Sequence, residues 1–355
     1  MAMRAERALN RDTTEEPARA PVLLHPVGKR RGGRSPGRMA GILGAGLLAV
    51  ALLAGCKSAR STAEPTVVPS ASASESASTS TSTPTSTPAV GGRVSDGAYV
   101  ALGDSYTAAP LLAGQGSSPA GCLRSADDYP ALVAGALHPR SFTNVSCYGA
   151  STGDMTHQQE TLGRTNPPQL SAVSAADSLV TVQVGGDDIG FSRILATCGA
   201  LSLTDPFGSP CQDHYTDNGA DQLAQTIART APKVTALLDD IRQRAPHAQV
   251  LLIGYPDILP VSGNGCWPEV PIARGDIPYL RDTEVRLNAM LAAAAARAGV
   301  EYVDIYDGTI GHDACQSSGV KWIEGLIPTS LAVPLHPNAA GEQAMARLIL
   351  DALRG

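Results

Sequence analysis

Aromatic residues are scarce, at 4% of 355 residues, while glycine (36) and proline (26) are plentiful. Such a composition suits one large domain with non-globular segments better than two full domains. There is no basic surplus. The formal net charge of -6 carries no electrostatic signature of nucleic-acid binding. There is no CxxC pair among the seven cysteines, which argues against a zinc site. No internal repeat occurs. The apolar run from about Ile42 to Ala54 is too short to span a bilayer comfortably. The two glycine-rich turns, "LGDS" and "VGGDD", match neither GxGxxG nor GxxxxGK[ST], so a nucleotide site has no motif support.

That short apolar run has a different meaning. Lys29, Arg30, Arg31, Arg34 and Arg38 precede it, and "LAGC" closes it at Cys56. A basic region, a short apolar stretch and a small-residue end make a secretory signal. Leu53-Ala54-Gly55-Cys56 resembles the lipobox of bacterial lipoproteins, which implies cleavage before Cys56 and lipid attachment to its sulfur. From Lys57 to about Gly92 the chain is mostly Ser, Thr, Ala and Pro. Such a tract cannot bury apolar area and reads as a solvated tether. The expected division is residues 1–38 as a disordered basic region, 39–55 as the signal, 56–92 as the linker and 93–355 as the globular domain. The expected place is outside the cell, on the outer face of the membrane or released.

With Cys56 set aside, six cysteines remain: Cys122, Cys147, Cys198, Cys211, Cys266 and Cys315. An even set in an exported domain reads as disulfides, with fifteen connectivities open. Sequential pairing would close the shortest loops.

Within residues 93–355, short apolar runs alternate with helical patterns. Strands are expected at Ala98–Leu102, Ser141–Ser146, Ser178–Val184, Gln249–Ile253 and Glu301–Ile305. Their lack of polar alternation suggests strands covered on both faces. Leu223, Ile227, Val234, Leu237, Leu238 and Ile241 share one helical face, as do Leu280, Leu287 and Leu291. A last helix carries Met345, Leu348, Ile349, Ala352 and Leu353. The alternation predicts an α/β fold, a parallel sheet with helices on both sides. Ligand sites in such sheets lie beyond the carboxyl ends of the strands.

Polar groups gather at those ends. Gly103-Asp104-Ser105 follows the first strand, Gly149 lies after the second, Asp187 and Asp188 after the third, and His336-Pro337-Asn338 opens the final helix. A serine hydroxyl needs a base to become a nucleophile, and histidine is the natural one near neutral pH. The oxyanion formed on attack needs fixed donors, for which the backbone N–H groups of Ser105 and Gly149 are candidates. Asp104 is expected to brace the turn, Asp188 to act as a structural hydrogen-bonder, and His157 and His312 to be ordinary surface residues. Trp267 and Trp322 are expected to pack, with an acyl-pocket wall as the alternative.

These four blocks, in this order, resemble the SGNH hydrolases, also called GDSL esterases/lipases, and most the disulfide-bearing secreted actinobacterial branch. The resemblance implies a three-layer α/β/α sandwich with a flavodoxin-like sheet. It also implies an acyl-enzyme on Ser105, His336 as base, an oxyanion hole from Ser105, Gly149 and position 187, and no metal or cofactor. The partner is an ester substrate and the chain is expected to act as a monomer. The branch's pairing implies Cys122–Cys147, Cys198–Cys211 and Cys266–Cys315. Two positions depart from the family. Its oxyanion Asn is Asp187 here, and its triad Asp is Val333. Some secreted relatives hold the imidazole by a main-chain carbonyl instead, which Val333 or Pro334 would supply. The expected function is a serine ester hydrolase. The alternatives are an acyltransferase working through the same acyl-enzyme, or a non-catalytic binding lipoprotein that kept the fold.

Overall fold

A computed structural model of the protein describes residues 97–355 except 117, 118 and 120. The basic region, the signal, Cys56 and the Ser/Thr tract lie outside the described residues, as do the first residues of the domain expected from 93. Among the described residues no helix is long and apolar enough to cross a membrane.

The chain opens with β1 (Ala98–Gly103), α1 (Ser105–Ala108), α2 (Tyr129–Leu137) and β2 (Ser141–Asn144). Then come α3 (Thr152–Thr156) and a small antiparallel pair, β3 (Gln159–Thr161) with β4 (Arg164–Asn166). After β5 (Asp177–Gln183) follow α4 (Gly186–Ile189), α5 (Phe191–Ser202), α6 (Pro210–Tyr215) and α7 (Gln222–Arg244). The chain closes with β6 (Gln249–Ile253), α8 (Asp276–Ala298), β7 (Glu301–Val303) and α9 (Ala339–Ala352). The main sheet is parallel throughout in the order β2-β1-β5-β6-β7, with the first strand second from the edge as in flavodoxin-like folds.

The strand alternation builds the layers. Val100 and Leu102 of β1 join Val180, Val182, Val250 and Leu252 on one face, under α7 and α8. Tyr99 and Ala101 join Leu179, Leu251 and Ile253 on the other, under α2 and α9. The helix stripes read from the sequence are the buried ones, including Leu223, Leu238 and Ile241 of α7 and Leu291 of α8. A truncation such as Leu238→Ala should cost about 2–5 kcal/mol. Helix starts follow their caps. Asp221 accepts from Ala224 N–H at 3.0 Å, and Asn338 accepts from Ala340 and Gly341 N–H at 3.0 and 3.2 Å.

Two expectations need correction. The second strand ends at Asn144, not Ser146, and it is an exposed edge rather than covered on both faces. Three of its four residues, Ser141, Thr143 and Asn144, are polar, and the chain then leaves to follow the end of β1. The last strand stops at Val303, two residues before Ile305. Among the described residues three disulfides form, Cys122–Cys147, Cys198–Cys211 and Cys266–Cys315.

Candidate active site

The carboxyl end of β1 is fitted closely to its neighbours. A side chain on Gly103 would lie 2.1 Å from Thr107 Oγ1 and 2.9 Å from the carbonyl of Gln183, so only glycine fits. Gln169 clamps this residue from the side, accepting from its N–H and donating to its carbonyl, both at 2.9 Å. Asp104 caps α1 by accepting from Tyr106 N–H at 2.9 Å. It also accepts from the Tyr255 hydroxyl, which in turn accepts from Gly186 N–H at 2.8 Å. Asp104 therefore braces the turn, and it does more. Through Tyr255 it ties the end of β1 to the turn after β5. Burial, with the Asp187 carboxylate adding to it, pushes the Asp104 carboxyl well above its ordinary value.

Ser105 stands at the first position of α1, buried at the head of this brace. Its Oγ lies 2.8 Å from His336 Nε2. His336 Nδ1 lies 2.9 Å from the carbonyl oxygen of Pro334. A carbonyl can only accept, so Nδ1 carries the proton and Nε2 turns its lone pair to the serine. Burial pushes the His336 imidazole down to about 4, only partly opposed by the Pro334 carbonyl. The ring is neutral at neutral pH, as a base must be. Of the two carbonyls expected from the sequence, Pro334 orients the ring. The Tyr106 ring stacks on it at 4.6 Å and Phe191 meets it edge-on at 6.2 Å. The Tyr106 hydroxyl donates to the Leu335 carbonyl at 2.7 Å, fixing the histidine loop to α1.

The turn after β2 rides on β1 through Cys147 N–H to the Gly103 carbonyl at 3.0 Å, and the Cys122–Cys147 disulfide fastens it. Gly149 adopts φ +75, with open space where a side chain would be. Asp188 accepts from Thr152 N–H at 2.8 Å and from its hydroxyl at 2.5 Å, with Lys233 Nζ at 3.6 Å. It is a structural hydrogen-bonder, joining the Gly149 loop to the turn after β5. Asp187, its neighbour, lines the pocket beside Ser105 instead. Burial first, then Asp188 and Asp154, pushes the Asp187 carboxyl up to about 6.

That pocket, with its open mouth, encloses about 680 Å³. Ser105 and Asp187 stand at one side, and Ile189, Phe191, Ile194 and Leu287 are among the apolar walls. Its lining suits a mainly apolar group. Neither tryptophan contributes a wall. Trp322 stacks on His312 at 3.4 Å, and Trp267 is half-buried elsewhere. His157 is exposed and bonded locally to Thr156 and Gly153. His312 is held to the Val320 carbonyl. Sequence reasoning missed Tyr106, Phe191 and Tyr255. Tyr255 carried a signal, since it is a polar residue at the carboxyl end of the fourth strand of the main sheet.

The carboxyl edge of this parallel α/β sandwich thus brings together a serine, a neutral histidine and an apolar pocket. Over residues 101–344 the chain matches the GDSL-like Lipase/Acylhydrolase family, and it belongs to that family. It is a carboxylic ester hydrolase, and the reading as a non-catalytic binder falls away. "Lipase 2" of Streptomyces coelicolor is 39% identical over 258 residues, covering 72% of this chain and 85% of that one. "Esterase" of Streptomyces scabiei is 30% identical over 292 residues, 71% of this chain and 84% of that one. Among solved structures, phospholipase A1 from Streptomyces albidoflavus NA297 is similar with a TM-score of 0.60 and 28% identity, covering 73% of this chain and 100% of that one. The extracellular lipase from Streptomyces rimosus is similar with a TM-score of 0.58 and 28% identity, covering 72% and 99%.

Proposed function

We propose that Ser105 is the nucleophile of this hydrolase and His336 its general base, in a dyad completed by a main-chain carbonyl. The observation that carries the reading is the line from Ser105 Oγ through the imidazole to the Pro334 oxygen, at 2.8 and 2.9 Å. His336 Nε2 takes the hydroxyl proton while Oγ bonds to the ester carbonyl carbon. The carbonyl π-pair moves to its oxygen. On collapse the C–O bond to the alcohol breaks, and Nε2–H protonates the leaving alkoxide. Water then repeats the sequence in reverse roles. It loses its proton to Nε2, attacks the acyl carbon and frees Ser105. The Pro334 carbonyl holds the Nδ1 proton and stabilises the transient imidazolium, the part an aspartate plays in a triad.

The oxyanion is received by the N–H groups of Ser105 and Gly149, neither of which has a partner among the described residues. Asp187 serves as the third donor only while protonated. The acyl chain enters the apolar pocket, and an alcohol in place of water would make the same acyl-enzyme an acyl donor. Upstream, Cys56 carries the lipid and the Ser/Thr tract is the leash, with the catalytic domain outside the cell. The Streptomyces rimosus relative is an extracellular lipase, which supports export.

Ser105→Ala should lower hydrolysis of nitrophenyl butyrate by at least about 10³-fold, and His336→Ala by a similar factor, because members of one catalytic unit fail together. A Ser105→Ala protein with native activity would end the proposal.

A further inference from the structure

Leu280, Glu284, Leu287 and Leu291 follow one another at helical spacing on α8, so an acid interrupts an apolar stripe. Leu280, Glu284 and Leu287 all line the pocket that holds Ser105. The other polar side chains of that lining are accounted for. Asp104 and Tyr255 form the brace, and Tyr106 donates to the Leu335 carbonyl. Ser105 and Asp187 belong to the proposed chemistry. Thr283 donates its hydroxyl proton to the Tyr279 carbonyl at 2.8 Å. Glu284 has no comparable employment. Its Oε2 lies 3.4 Å from Ile258 N–H, long for a hydrogen bond, and its Oε1 is buried with no hydrogen-bond partner among the described residues. Among those residues the lining holds no lysine or arginine to offset it. A buried polar atom left unpaired weakens a fold, so one that faces a ligand pocket calls for a partner on the ligand. Burial first, then the Asp257 carboxylate, pushes the Glu284 carboxyl well above its ordinary value, only partly opposed by Ile258 N–H. The group therefore favours its protonated form, which carries one O–H donor beside its acceptor lone pairs.

We infer that Glu284 is a specificity-determining residue that hydrogen-bonds a hydroxyl group on the acyl chain, so that esters of hydroxylated aliphatic acids are preferred over plain ones. The inference rests on the reading of Ser105 as nucleophile and of this pocket as the acyl site. The walls supplied by Ile189, Phe191, Ile194 and Leu287 suit an aliphatic chain. Against such walls a single unpaired carboxyl selects for one polar group at one place on the chain. A hydroxyl both donates and accepts, as the protonated carboxyl does, and it enters an apolar pocket without carrying charge. An anionic chain end would meet Asp104, Asp187 and Glu284 with no basic side chain in the lining to receive it. An ammonium would have to give up its water among apolar walls. A site that hydrogen-bonds a substrate hydroxyl discriminates against the analogue that lacks it, because its own polar group is then left unpaired.

The test gives the purified full chain a set of nitrophenyl esters: butyrate, octanoate, and octanoates with a hydroxyl at the sixth, seventh or eighth carbon. At least one hydroxy ester should be cleaved with a kcat/KM at least about tenfold above plain octanoate. Glu284→Gln keeps a donor and an acceptor at the same place and should hold that ratio within about threefold. Glu284→Met has a side chain of similar length that makes no such bond. It should abolish the ratio by slowing the hydroxy ester and speeding the plain one. Its urea midpoint at pH 7 should be no lower than native, because the change removes a buried unpaired group. The inference is overturned if no hydroxy ester exceeds octanoate by more than about twofold while butyrate is cleaved, a difference too small for a buried hydrogen bond. It is overturned if octanoates are refused while butyrate is cleaved, or if Glu284→Met keeps the ratio. A Met variant that loses stability or fails to fold would make Glu284 a structural residue and would also overturn it. So would an aminooctanoate ester cleaved faster than every hydroxy ester, since Glu284 would then receive a cation. Failure of the native chain to cleave butyrate would count against the ester-hydrolase reading itself.

Discussion

The Nδ1 of His336 lies 2.9 Å from the carbonyl oxygen of Pro334, two residues earlier on the same chain. The proposed base is therefore oriented by backbone, and no side chain at position 333 touches its Nδ1. Val333→Ala should lower kcat/KM on nitrophenyl butyrate by less than tenfold, about 1.4 kcal/mol. A larger loss with unchanged folding would transfer the orienting role to packing by the valine.

With His336 as the proposed base and Asp187 as the proposed oxyanion donor, a pH window is expected. His336 must be neutral, which holds above about 4, and Asp187 must keep its proton to donate, which holds below about 6. Activity should rise through the first value, fall through the second and peak between them. Asp187→Asn places a permanent N–H donor there. It should remove the alkaline fall and raise kcat by up to about 10²-fold above pH 7, the worth of one oxyanion donor. The check is a pair of kcat–pH profiles. An Asn variant slower at every pH would mean that Asp187 acts in another way.

Glu324 and Lys321 form a buried ion pair under the histidine loop. Burial alone would raise the Glu324 carboxyl, but hydrogen bonds from Asn338, Thr329 and Lys321 outweigh it and hold the group below its ordinary value. A carboxylate held low in the folded state adds stability that is complete above the unfolded value and lost as pH falls through the folded one. Glu324→Ala leaves Lys321 buried without its partner and should cost about 3–5 kcal/mol. The measure is the urea midpoint at pH 7. In acid, below the carboxyl range, the gap between variant and native should narrow. An equal gap at both pH values would show that the loss is packing and not charge.

Much of this was legible in the sequence, for physical reasons that differ by residue. Strand cores such as Leu251 and Leu252 face opposite layers, so an unbroken apolar run was enough to mark them. Ser105, Gly149, Asp187 and His336 lie at strand or helix ends, where turn chemistry leaves a local trace. Tyr106 and Phe191 look like any core aromatic in the sequence, because their part at the site comes from where His336 folds back over them. The 231 residues that separate His336 from Ser105 hide that contact. The exposed edge at β2 escaped because its neighbours, not its composition alone, decide whether a strand is covered.

The segment before residue 97 carries its own expectation. A fatty-acid label supplied to cells should enter the full chain and be lost in Cys56→Ser, with the variant recovered largely in the medium. Labelling that persists in the variant would remove Cys56 from the account, and full membrane retention would argue for a spanning segment.

The claim on which the rest depends is that Ser105 forms the acyl-enzyme. The direct measurement is to treat the purified protein with a serine-directed fluorophosphonate and map the adduct by peptide mass. One adduct per molecule is expected on Ser105, formed in step with loss of ester hydrolysis, absent from Ser105→Ala and slowed in His336→Ala. Inactivation with the adduct on another residue, or activity that survives full modification of Ser105, would contradict it.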